Sequence, residues 1–428
     1  MAYHAKEVAQ RRAKRDRYRR GRSGVRSDLL QRTGGLRRTR RIFAGREKRR
    51  IGSVTTQPSG SVFLVLASRR AFEALVGPIP DALSTIFRFI KPRESTRIHA
   101  QLAQCRIVIS KSYTRPILNR WIFEARRLGV PTLLLVDGPL EWANLYENPS
   151  LARLGGTDPK AHFEPVIHDA VACIGEAQTR WIEQKNAGRG LQFMNYANQR
   201  IGTEVPARRS AGDQTEMPPF EFDFLVTTAK TPYFSADEKA QLITSLSACI
   251  AALHRSGFKI LVRLFDPDLC RATRANVPNA TFDTTGDFTS ALARAECVIG
   301  TPSSVLLEAM HQNRPTGTLL FRDSPLLYQT GWLIGCNQAW DETFESMLGH
   351  DSKRMDFQRQ SLRENLSEQD FFEYCDQIAR GENLAAPRPI DAIDLEFENR
   401  MLRQLSGWPA RWLSRFLRAR QDKMTSNE

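Results

Sequence analysis

The segment 297–316, CVIGTPSSVLLEAMHQNRPT, contains the residues of this chain best suited to bind a phosphorylated ligand. Its apolar start predicts a short strand, and Thr-Pro-Ser-Ser predicts a turn into a helix over 305–311. The first turn of a helix presents free backbone N–H groups and the positive end of the helix dipole. Together with the hydroxyls of Thr301, Ser303 and Ser304, these groups could hold a phosphate or pyrophosphate.

A carboxylate and a second run of hydroxyls extend this candidate site. Glu308 lies one turn into the helix from Ser304, where it could accept hydrogen bonds from ribose hydroxyls. The run TTAKT at 227–231 directly follows another apolar strand, so Thr228 could contact the same phosphates. For the segment 297–316, the structural alternative is a capped helix with an exposed glutamate. For the run 227–231, it is a polar surface loop.

Asp137 is the candidate general base. It follows the predicted strand 132–136 and precedes Gly138-Pro139, which places it at the carboxyl end of that strand. A carboxylate in this position could take the proton of an attacking hydroxyl. Asp-Gly-Pro is equally typical of a plain turn, and Glu141 and Glu176 are the substitutes for the base.

Other chemically suggestive patterns do not extend to a metal or cofactor site. His162, Glu164 and His168 have a spacing that fits no established metal site. The pair Asp266 and Asp268 lies in a predicted turn rather than in a metal-binding position. The chain contains neither a GxSxG nucleophile elbow nor a phosphate-binding GxxxxGK[ST] loop. We therefore predict neither a metal nor a cofactor.

Apolar runs of strand length alternate with helical patterns along most of the chain. Continuous runs such as VFLVLA at 62–67 suit a parallel sheet that is covered on both faces. The predicted strands are 62–67, 105–110, 132–136, 171–174, 223–227, 259–264, 281–283, 297–300 and 317–321, with helices such as 118–128 and 237–254 between them. The alternation indicates βαβ units and two doubly wound α/β domains.

Charge is concentrated in an N-terminal arm. The 428 residues have a formal net charge of +15, and residues 1–50 alone contain 19 Lys and Arg against four acids. The body of the chain is therefore neutral. Seven widely spaced cysteines without a CxxC pair favour reduced thiols and a cytoplasmic protein, and we find neither a transmembrane run nor a secretory signal.

The segment 297–316 resembles the nucleotide-sugar-binding strand–helix unit in the C-terminal domain of GT-B glycosyltransferases. The pair Ser303-Ser304 is also similar to the paired Ser/Thr motif of bacterial polysialyltransferases and capsule Kdo transferases, which use CMP-activated donors. The resemblance implies two Rossmann-like domains that face a cleft. It also implies that Ser303, Ser304 and Glu308 hold the donor. The acidic-Gly motif of those transferases supplies a general base, and Asp137-Gly138 resembles it.

One element of that resemblance is missing. The related transferases carry a His-Pro motif after an earlier strand of the C-terminal domain, where this chain has Phe265-Asp266-Pro267. An aspartate would repel a phosphate, and Arg263 nearby could supply the lost positive charge. A turn that ends the strand is the structural alternative for Asp266-Pro267.

The resemblance and the composition together predict five regions. These are a basic flexible arm (1–52), an N-terminal Rossmann-like acceptor domain (61–206), a linker (207–219), a C-terminal Rossmann-like donor-binding domain (220–385) and a C-terminal helical tail (386–428).

The tail contains a basic amphipathic segment, LSGWPARWLSRFLRAR at 405–420, with tryptophans on its apolar face. Such a segment is typical of a helix that lies on a membrane surface. With the arm 1–52 it suggests attraction to anionic lipids at the inner membrane. A helix that packs back on the N-terminal domain is the alternative. The arm alone would also permit nucleic-acid binding, but it lacks a recognised reader motif.

These features predict a glycosyltransferase that moves a sugar from a nucleotide-activated donor to a polysaccharide or glycolipid acceptor in bacterial surface-glycan synthesis. The nucleotide sugar would be a substrate rather than a cofactor. The alternatives are a sugar-nucleotide epimerase of the same fold, and a non-catalytic GT-B-like or nucleic-acid-binding protein recruited by its arm.

Overall fold

The computed structural model describes residues 61–91, 98–112, 114–154, 162–202, 220–283, 285, 287–322, 326–335, 340–382 and 387–406. The predicted basic arm 1–52, the linker 207–219 and the segment from 407 onwards lie outside the described residues. The described chain contains two parallel β-sheets, each flanked by helices.

The first sheet has six parallel strands in the order β2-β1-β3-β4-β5-β6. They are β1 (Val62–Val65), β2 (Phe87–Phe89), β3 (Cys105–Ser110), β4 (Thr132–Leu135), β5 (Ala170–Cys173) and β6 (Gln192–Asn195). Its central strands are continuous apolar runs because both faces of the sheet are covered. In the register, Ser110 pairs with Leu134, which in turn pairs with Val171.

The helices of the first half connect these strands. They are α1 (Arg69–Val76), α2 (Asp81–Ser84), α3 (Ile98–Leu102), α4 (Pro116–Arg127), α5 (Trp142–Tyr146), a 3₁₀ turn (Pro149–Leu154) and α6 (Glu176–Lys185). Helix α4 begins with Pro116, whose missing N–H costs nothing in the first turn. Its apolar face buries Trp121 and Ile122 against the sheet.

The second sheet also has six parallel strands, in the order β12-β11-β10-β7-β8-β9. They are β7 (Phe222–Thr227), β8 (Ile260–Arg263), β9 (Thr281–Phe282), β10 (Ala295–Gly300), β11 (Thr316–Leu319) and β12 (Trp332–Ile334). This is the strand order of the dinucleotide-binding fold, in which the direction of winding reverses between β7 and β10. Ligands of such sheets bind outside the carboxyl ends of the strands at that point.

Eight helices in the described part of the second half and its C-terminal extension complete the fold. They are α7 (Ala236–Arg255), α8 (Pro267–Asn276), α9 (Phe288–Ala293), α10 (Ser304–His311), α11 (Trp340–Leu348), α12 (Ser352–Asn365), α13 (Phe371–Ala379) and α14 (Ala392–Ser406). Several begin at a side-chain cap: the hydroxyl of Ser235 accepts from the backbone N–H of Glu238 at the start of α7.

Helices α13 and α14 return to the first half of the chain. Phe371 and Phe372 of α13 contact Phe72 and Phe87 at ring-centroid distances of 5.7 and 6.2 Å. The segment just before α13 is also tied to the first sheet, because the backbone N–H of Ser367 donates to the carbonyl of Ile174 at 2.7 Å. The chain thus crosses between the two sheets twice, and α13 helps to bury the first one.

A buried ion-pair network fixes α14 against α4. Asp394 accepts a hydrogen bond from Arg126 at 2.9 Å and pairs with Arg388 at 3.3 Å. It also pairs with Arg189 at 2.5 Å. The side chains of Arg126 and Asp394 are fully buried, and Arg126 also pairs with the buried Asp169 at 3.2 Å. Buried charges are tolerated only when they are paired and hydrogen-bonded. Removal of one charged group would therefore leave its partners buried without compensation.

The predicted fold class is confirmed, with two doubly wound parallel α/β sheets. Cys105, Cys173 and Cys297, predicted to lie in buried strands, are buried and free of disulfides. Among the described residues, no helix combines the length and the apolar character that crossing a bilayer requires.

Candidate functional site

The start of α10 lies at the point where the second sheet reverses its winding. Strand β10 ends at Gly300, and the hydroxyl of Thr301 accepts a hydrogen bond from the backbone N–H of Ala229 at 2.8 Å. This bond joins the ends of β10 and β7. A Cβ on Gly300 would lie 3.0 Å from Cγ2 of Thr227 and 3.1 Å from Cδ2 of Leu306. Glycine therefore permits the close approach of both strands to α10.

Ser303 precedes α10 as its N-cap residue, but its hydroxyl does not cap the helix. The hydroxyl donates instead to the carbonyl of Thr301 at 3.1 Å. The backbone N–H of Ser303 donates to Oη of the buried Tyr328 at 2.9 Å, and Oη donates to the carbonyl of Ser303 at 3.0 Å. Ser303 is consequently fixed in place, and its polar groups are occupied.

Ser304 is the first residue of α10 and is half-buried. Within the described part of the chain its hydroxyl makes no hydrogen bond. The backbone N–H groups of a first helical turn also lack intrahelical partners. Of the two serines predicted to bind phosphate, Ser304 is thus the one whose hydroxyl is available to a ligand.

Two further hydroxyls lie beside this helix start. Thr227 is the last residue of β7 and Thr228 follows it, and both side chains are completely buried. Neither hydroxyl has a hydrogen-bond partner within the residues that the structure describes. Because an unsatisfied buried hydroxyl costs free energy, these groups are suited to a ligand that supplies the missing acceptors. Both residues belong to the run 227–231 that the sequence analysis singled out.

Glu308 lies one turn into α10. Its Oε1 accepts a hydrogen bond from the hydroxyl of Thr289 in α9 at 2.8 Å. Burial raises the pKa of Glu308 to about 7, and the nearby Asp287 carboxylate adds to this rise. The hydrogen bond from Thr289 and the charge of Arg200 lower the same pKa. Glu308 therefore titrates close to neutral pH.

Arg263, which was predicted to supply the positive charge of the missing histidine, is held by neighbouring residues. It ends β8, where its guanidinium donates to the carbonyl of Thr285 at 2.6 Å and pairs with Asp283 at 3.5 Å. Asp266 is the N-cap of α8, and it accepts from the backbone N–H of Leu269 at 2.7 Å. Its other oxygen accepts from the hydroxyl of Tyr233 at 2.9 Å. The structural alternative for Asp266, a turn at the end of the strand, describes these contacts.

Asp137 lies at the carboxyl end of β4, on a turn whose main chain is held from several sides. The carbonyl of Val136 accepts from the hydroxyl of Tyr196 at 2.7 Å, and the carbonyl of Gly138 accepts from Nε2 of Gln178 at 2.8 Å. Arg200 donates to the carbonyl of Asp137 itself at 3.4 Å. The turn is thus fixed without using the carboxylate.

The Asp137 carboxylate is about half exposed, and its Oδ2 lies 3.7 Å from Nζ of Lys111, which follows β3. His162 is close enough that the charge of Asp137 raises its pKa, but burial has the larger effect and lowers the pKa of His162 to about 4. At neutral pH the histidine is therefore uncharged, and Lys111 is the cation next to Asp137.

The two substitutes for the base are less suited to that role. Glu141 is buried as the N-cap residue of α5 and accepts from Nδ2 of Asn144 at 2.7 Å. Glu176 lies in the first turn of α6, where it accepts from Nδ2 of Asn195 at 3.2 Å and faces Arg180 at 3.8 Å. The carboxylate of Asp137 has no such hydrogen bond within the described residues, and its one ion pair there is the 3.7 Å contact to Lys111.

Arg200 lies near both the candidate base and the candidate donor-binding residues. It contacts the turn of Asp137 in the first half, and its charge lowers the pKa of Glu308 in the second half. Arg200 therefore contacts the Asp137 turn and lies near enough to Glu308 for its charge to affect that carboxyl. Sequence patterns gave no signal for Arg200, Tyr328 or Thr289, because each acts through a partner distant in sequence.

The acids and histidines singled out in the sequence contact other side chains. In the described ranges, no group of three or more His, Cys, Asp or Glu side chains could hold a metal ion. His168 contacts the hydroxyl of Ser110 at 2.8 Å, and burial lowers the pKa of His168 to about 3. Asp268 pairs with Arg271 at 3.1 Å, while Asp266 caps α8.

Comparisons with known proteins find similarity in structure only. No protein-family profile matches the sequence, and no curated protein matches it. The chain is similar to the wall teichoic acid polymerase TagF in a structure with CDPG, at 12% identity and a TM-score of 0.48, over 76% of this chain and 90% of TagF. It is similar to S. aureus MnaA with UDP at 12% identity and a TM-score of 0.45, over 77% of this chain and 99% of MnaA.

A mutant of S. aureus TarM in complex with Fondaparinux, alpha-GlcNAc-glycerol and UDP is also similar, at 12% identity and a TM-score of 0.41. The match covers 64% of this chain and 55% of TarM, so the chain spans about half the length of that protein. These likenesses concern the fold. The two doubly wound α/β sheets of this chain are established by its own strand orders.

Proposed function

We propose that this chain is a glycosyltransferase that moves a sugar from a nucleotide-activated donor to a polysaccharide or glycolipid acceptor in bacterial surface-glycan synthesis. The observation that supports it best is the group of unused polar atoms at the reversal point of the second sheet. There the hydroxyl of Ser304 at the start of α10, and those of Thr227 and Thr228 at the end of β7, have no hydrogen-bond partner in the described chain. Such a site favours a phosphate or pyrophosphate.

The donor would lie along α10. Its phosphate oxygens would accept from the hydroxyl and backbone N–H of Ser304 and from Thr228, which supply hydrogen bonds to developing negative charge on the leaving nucleotide. Glu308 would accept from the ribose hydroxyls, since its carboxylate lies one turn further along the same helix. Thr301 and Ser303 would shape this cradle through their hydrogen bonds rather than contact the donor with their hydroxyls.

Asp137 would act as the general base. The fixed turn holds its carboxylate at the carboxyl edge of the first sheet, and Arg200 connects that turn to the donor side of the site. An acceptor hydroxyl next to Asp137 would lose its proton to the carboxylate as the oxygen forms a bond to the anomeric carbon of the donor sugar. Nζ of Lys111 lies 3.7 Å from Oδ2 of this carboxylate.

The resemblance of Ser303-Ser304 to polysialyltransferases and Kdo transferases suggests a CMP-activated donor. Asp266 is engaged as the cap of α8, so no histidine-like contact to a phosphate comes from that position. A cytoplasmic protein that associates with the inner membrane through 1–52 and 405–420 is part of the same proposal.

Nucleotide binding tests the proposal directly. The melting temperature of the full chain is measured with CMP, UDP, GDP and CDP, for the wild type and for Ser304→Ala. Ser352→Ala is the matched control, because Ser352 is likewise the first residue of a helix, on α12, and is exposed. We expect at least one nucleotide to stabilise the wild type and the control, and Ser304→Ala to lose most of that stabilisation.

A sugar-nucleotide epimerase would give the same binding result, so turnover separates the two functions. Incubation with the matching nucleotide sugar should release free nucleotide when a glycan acceptor is present. Conversion to an epimer without release of nucleotide would favour the epimerase. If none of the four nucleotides stabilises the wild-type chain, the donor site is not where we place it.

A further inference from the structure

Helix α5 presents an exposed aromatic pair on the first half of the chain. The side chain of Trp142 is 48% exposed, and its ring centroid lies 4.4 Å from that of Tyr146 at an interplanar angle of 40°. Trp142 and Phe357 are the only Phe or Trp side chains among the described residues that rank as exposed. The exposed part of the indole offers a large, flat apolar surface to a ligand, with the polar N–H at its edge.

The aromatic pair is tied to the turn of Asp137. Helix α5 begins five residues after Asp137, and the intervening Gly138 is held by Gln178. On the other side, the carbonyl of Leu145 in α5 accepts from the backbone N–H of His162 at 2.8 Å. The charge of Asp137 in turn raises the pKa of His162, which burial lowers. These contacts place α5 on the same carboxyl edge of the first sheet as the candidate base.

The helix itself is rigidly seated, although Trp142 is exposed. Leu145 is buried in the core of the first half, and Tyr146 packs partly against that core. Glu141 is buried at the start of the helix, with Asn144 donating to it. The exposed indole is thus held on a fixed support.

We propose that Trp142, supported by Tyr146, is a stacking platform for a pyranose ring of the acceptor glycan. The proposal rests on the transferase function, since it names the part of the acceptor that the site recognises. One face of many pyranoses presents only C–H groups, which carry a small positive charge. That face matches the negative π-face of an indole, while the hydroxyls at the rim of the sugar remain in water.

The surroundings of the pair favour a saccharide over a protein partner. The residues that alternate with Trp142 along α5 and beyond it are polar, including Asn144, the exposed Glu147 and Asn148. A protein interface of useful size would need a contiguous apolar surface, and one half-exposed ring among polar groups does not supply it. A single ring with polar neighbours is suited to one sugar unit that is both stacked and hydrogen-bonded.

Saccharide binding without a nucleotide tests the platform. The full chain is titrated with maltotriose, cellotriose, chitotriose and an α-1,6-linked mannotriose, and binding is followed by saturation-transfer difference NMR. We expect at least one trisaccharide to bind the wild type, with the strongest transfer to its C–H protons. Trp142→Ala should weaken that binding by about tenfold, which corresponds to the loss of one aromatic contact. Trp142→Phe should retain most of it.

Phe357→Ala is the matched control, because Phe357 is an equally exposed aromatic residue on α12 of the second half, at 51% exposure. It should bind the trisaccharide like the wild type. The platform would be refuted if no trisaccharide binds the wild type, or if Trp142→Ala binds as well as Phe357→Ala. Nucleotide stabilisation of Trp142→Ala is measured in parallel and should be unchanged, so failure of the platform is distinguishable from failure of the donor site.

Discussion

The phenol of Tyr328 makes two hydrogen bonds to one residue, accepting from the backbone N–H of Ser303 at 2.9 Å and donating to its carbonyl at 3.0 Å. A buried side chain thus fixes the residue before α10 and leaves the hydroxyl of Ser304 unused. The two residues before Tyr328, Leu326 and Leu327, pack against the core of the first half. Tyr328 therefore links the packing between the halves to the start of the donor helix.

Tyr328→Phe should weaken the binding of a nucleoside diphosphate more than that of the corresponding nucleoside. The substitution keeps the packed ring but removes both hydrogen bonds, each worth about 1 kcal/mol, and frees the helix start to shift. We expect the affinity for the diphosphate to fall by about tenfold, while the affinity for the nucleoside stays within twofold of the wild type. Isothermal titration with the nucleotide that gives the largest thermal shift measures both affinities.

The control for this substitution is Tyr233→Phe. Tyr233 also makes a hydrogen bond through its hydroxyl, but to Asp266 at the start of α8, at 2.9 Å. It should bind both ligands like the wild type. Equal losses for the nucleoside and the diphosphate in Tyr328→Phe would show a general structural defect rather than a role in positioning the phosphate cradle.

Nucleotide affinity should rise between pH 6 and pH 8 through the titration of Glu308. Burial raises the pKa of this carboxyl to about 7, so it is largely protonated at pH 6 and ionised at pH 8. Ribose hydroxyls bind the ionised form better, because it only accepts hydrogen bonds. Glu308→Gln should remove the pH dependence and bind weakly at both values. If the nucleotide affinity of the wild type did not change between pH 6 and pH 8, Glu308 would not be the residue that binds the ribose.

Over the same pH range, Glu308 should lower the stability of the folded chain. A carboxyl whose pKa is higher in the folded than in the unfolded chain binds more protons when folded. Its contribution to stability is therefore lost as pH rises from the ordinary glutamate pKa towards 7. Without nucleotide, the melting temperature of the wild type should decrease relative to that of Glu308→Gln over this interval, and with nucleotide the difference should shrink.

The central strands were predictable from sequence because burial on both faces leaves a continuous apolar run. Cys105–Ser110 and Ala295–Gly300 are such strands, and the predictions for them agree with the structure to within two residues. The edge strands Phe87–Phe89, Gln192–Asn195 and Trp332–Ile334 escaped prediction. They are only three or four residues long, which is too short for an apolar run or an alternation to mark them.

The candidate site was predictable only where its chemistry is local. Ser304 and Glu308 share one helix, and Asp137 follows one strand, so strand–turn–helix spacing was sufficient to select them. Tyr328, Thr289 and Arg200 reach their partners over 25, 19 and 63 positions of sequence. Their roles come from tertiary packing, which a single sequence does not encode in a recognisable pattern. Tertiary packing also decides the role of Ser303, whose hydroxyl was predicted to bind the phosphate but donates to the carbonyl of Thr301.

Asp137→Asn should abolish turnover while nucleotide binding is retained. The amide keeps the size of the side chain, and the turn is held through main-chain carbonyls that the substitution does not touch. Loss of a general base typically costs about 10²–10⁴-fold in rate. The rate of nucleotide release from the nucleotide sugar, with and without a glycan acceptor, measures this effect. Glu176→Gln is the control, and a comparable loss in that variant instead would move the base to α6.

Asp394→Ala should strongly destabilise the chain, because Asp394 balances three arginines. Arg126, Arg189 and Arg388 all pair with its buried carboxylate. Removal of one partner from a buried ion pair leaves uncompensated charge and typically costs ~3–5 kcal/mol. Urea unfolding followed by circular dichroism should show a lower midpoint, and α14 should separate from α4, which increased proteolysis of the chain near residue 390 would report.

Glu396→Ala is the matched control for this network, because Glu396 lies on the same helix and makes only a 4.0 Å pair with Arg400 in a mostly exposed position. An exposed pair of this kind contributes roughly 0–1 kcal/mol, so the unfolding midpoint should barely change. Equal effects of the two substitutions would show that α14 is held by its apolar contacts through Phe397 and Met401. Destabilisation confined to Asp394→Ala would instead establish that the buried charges fix this C-terminal helix to the first half.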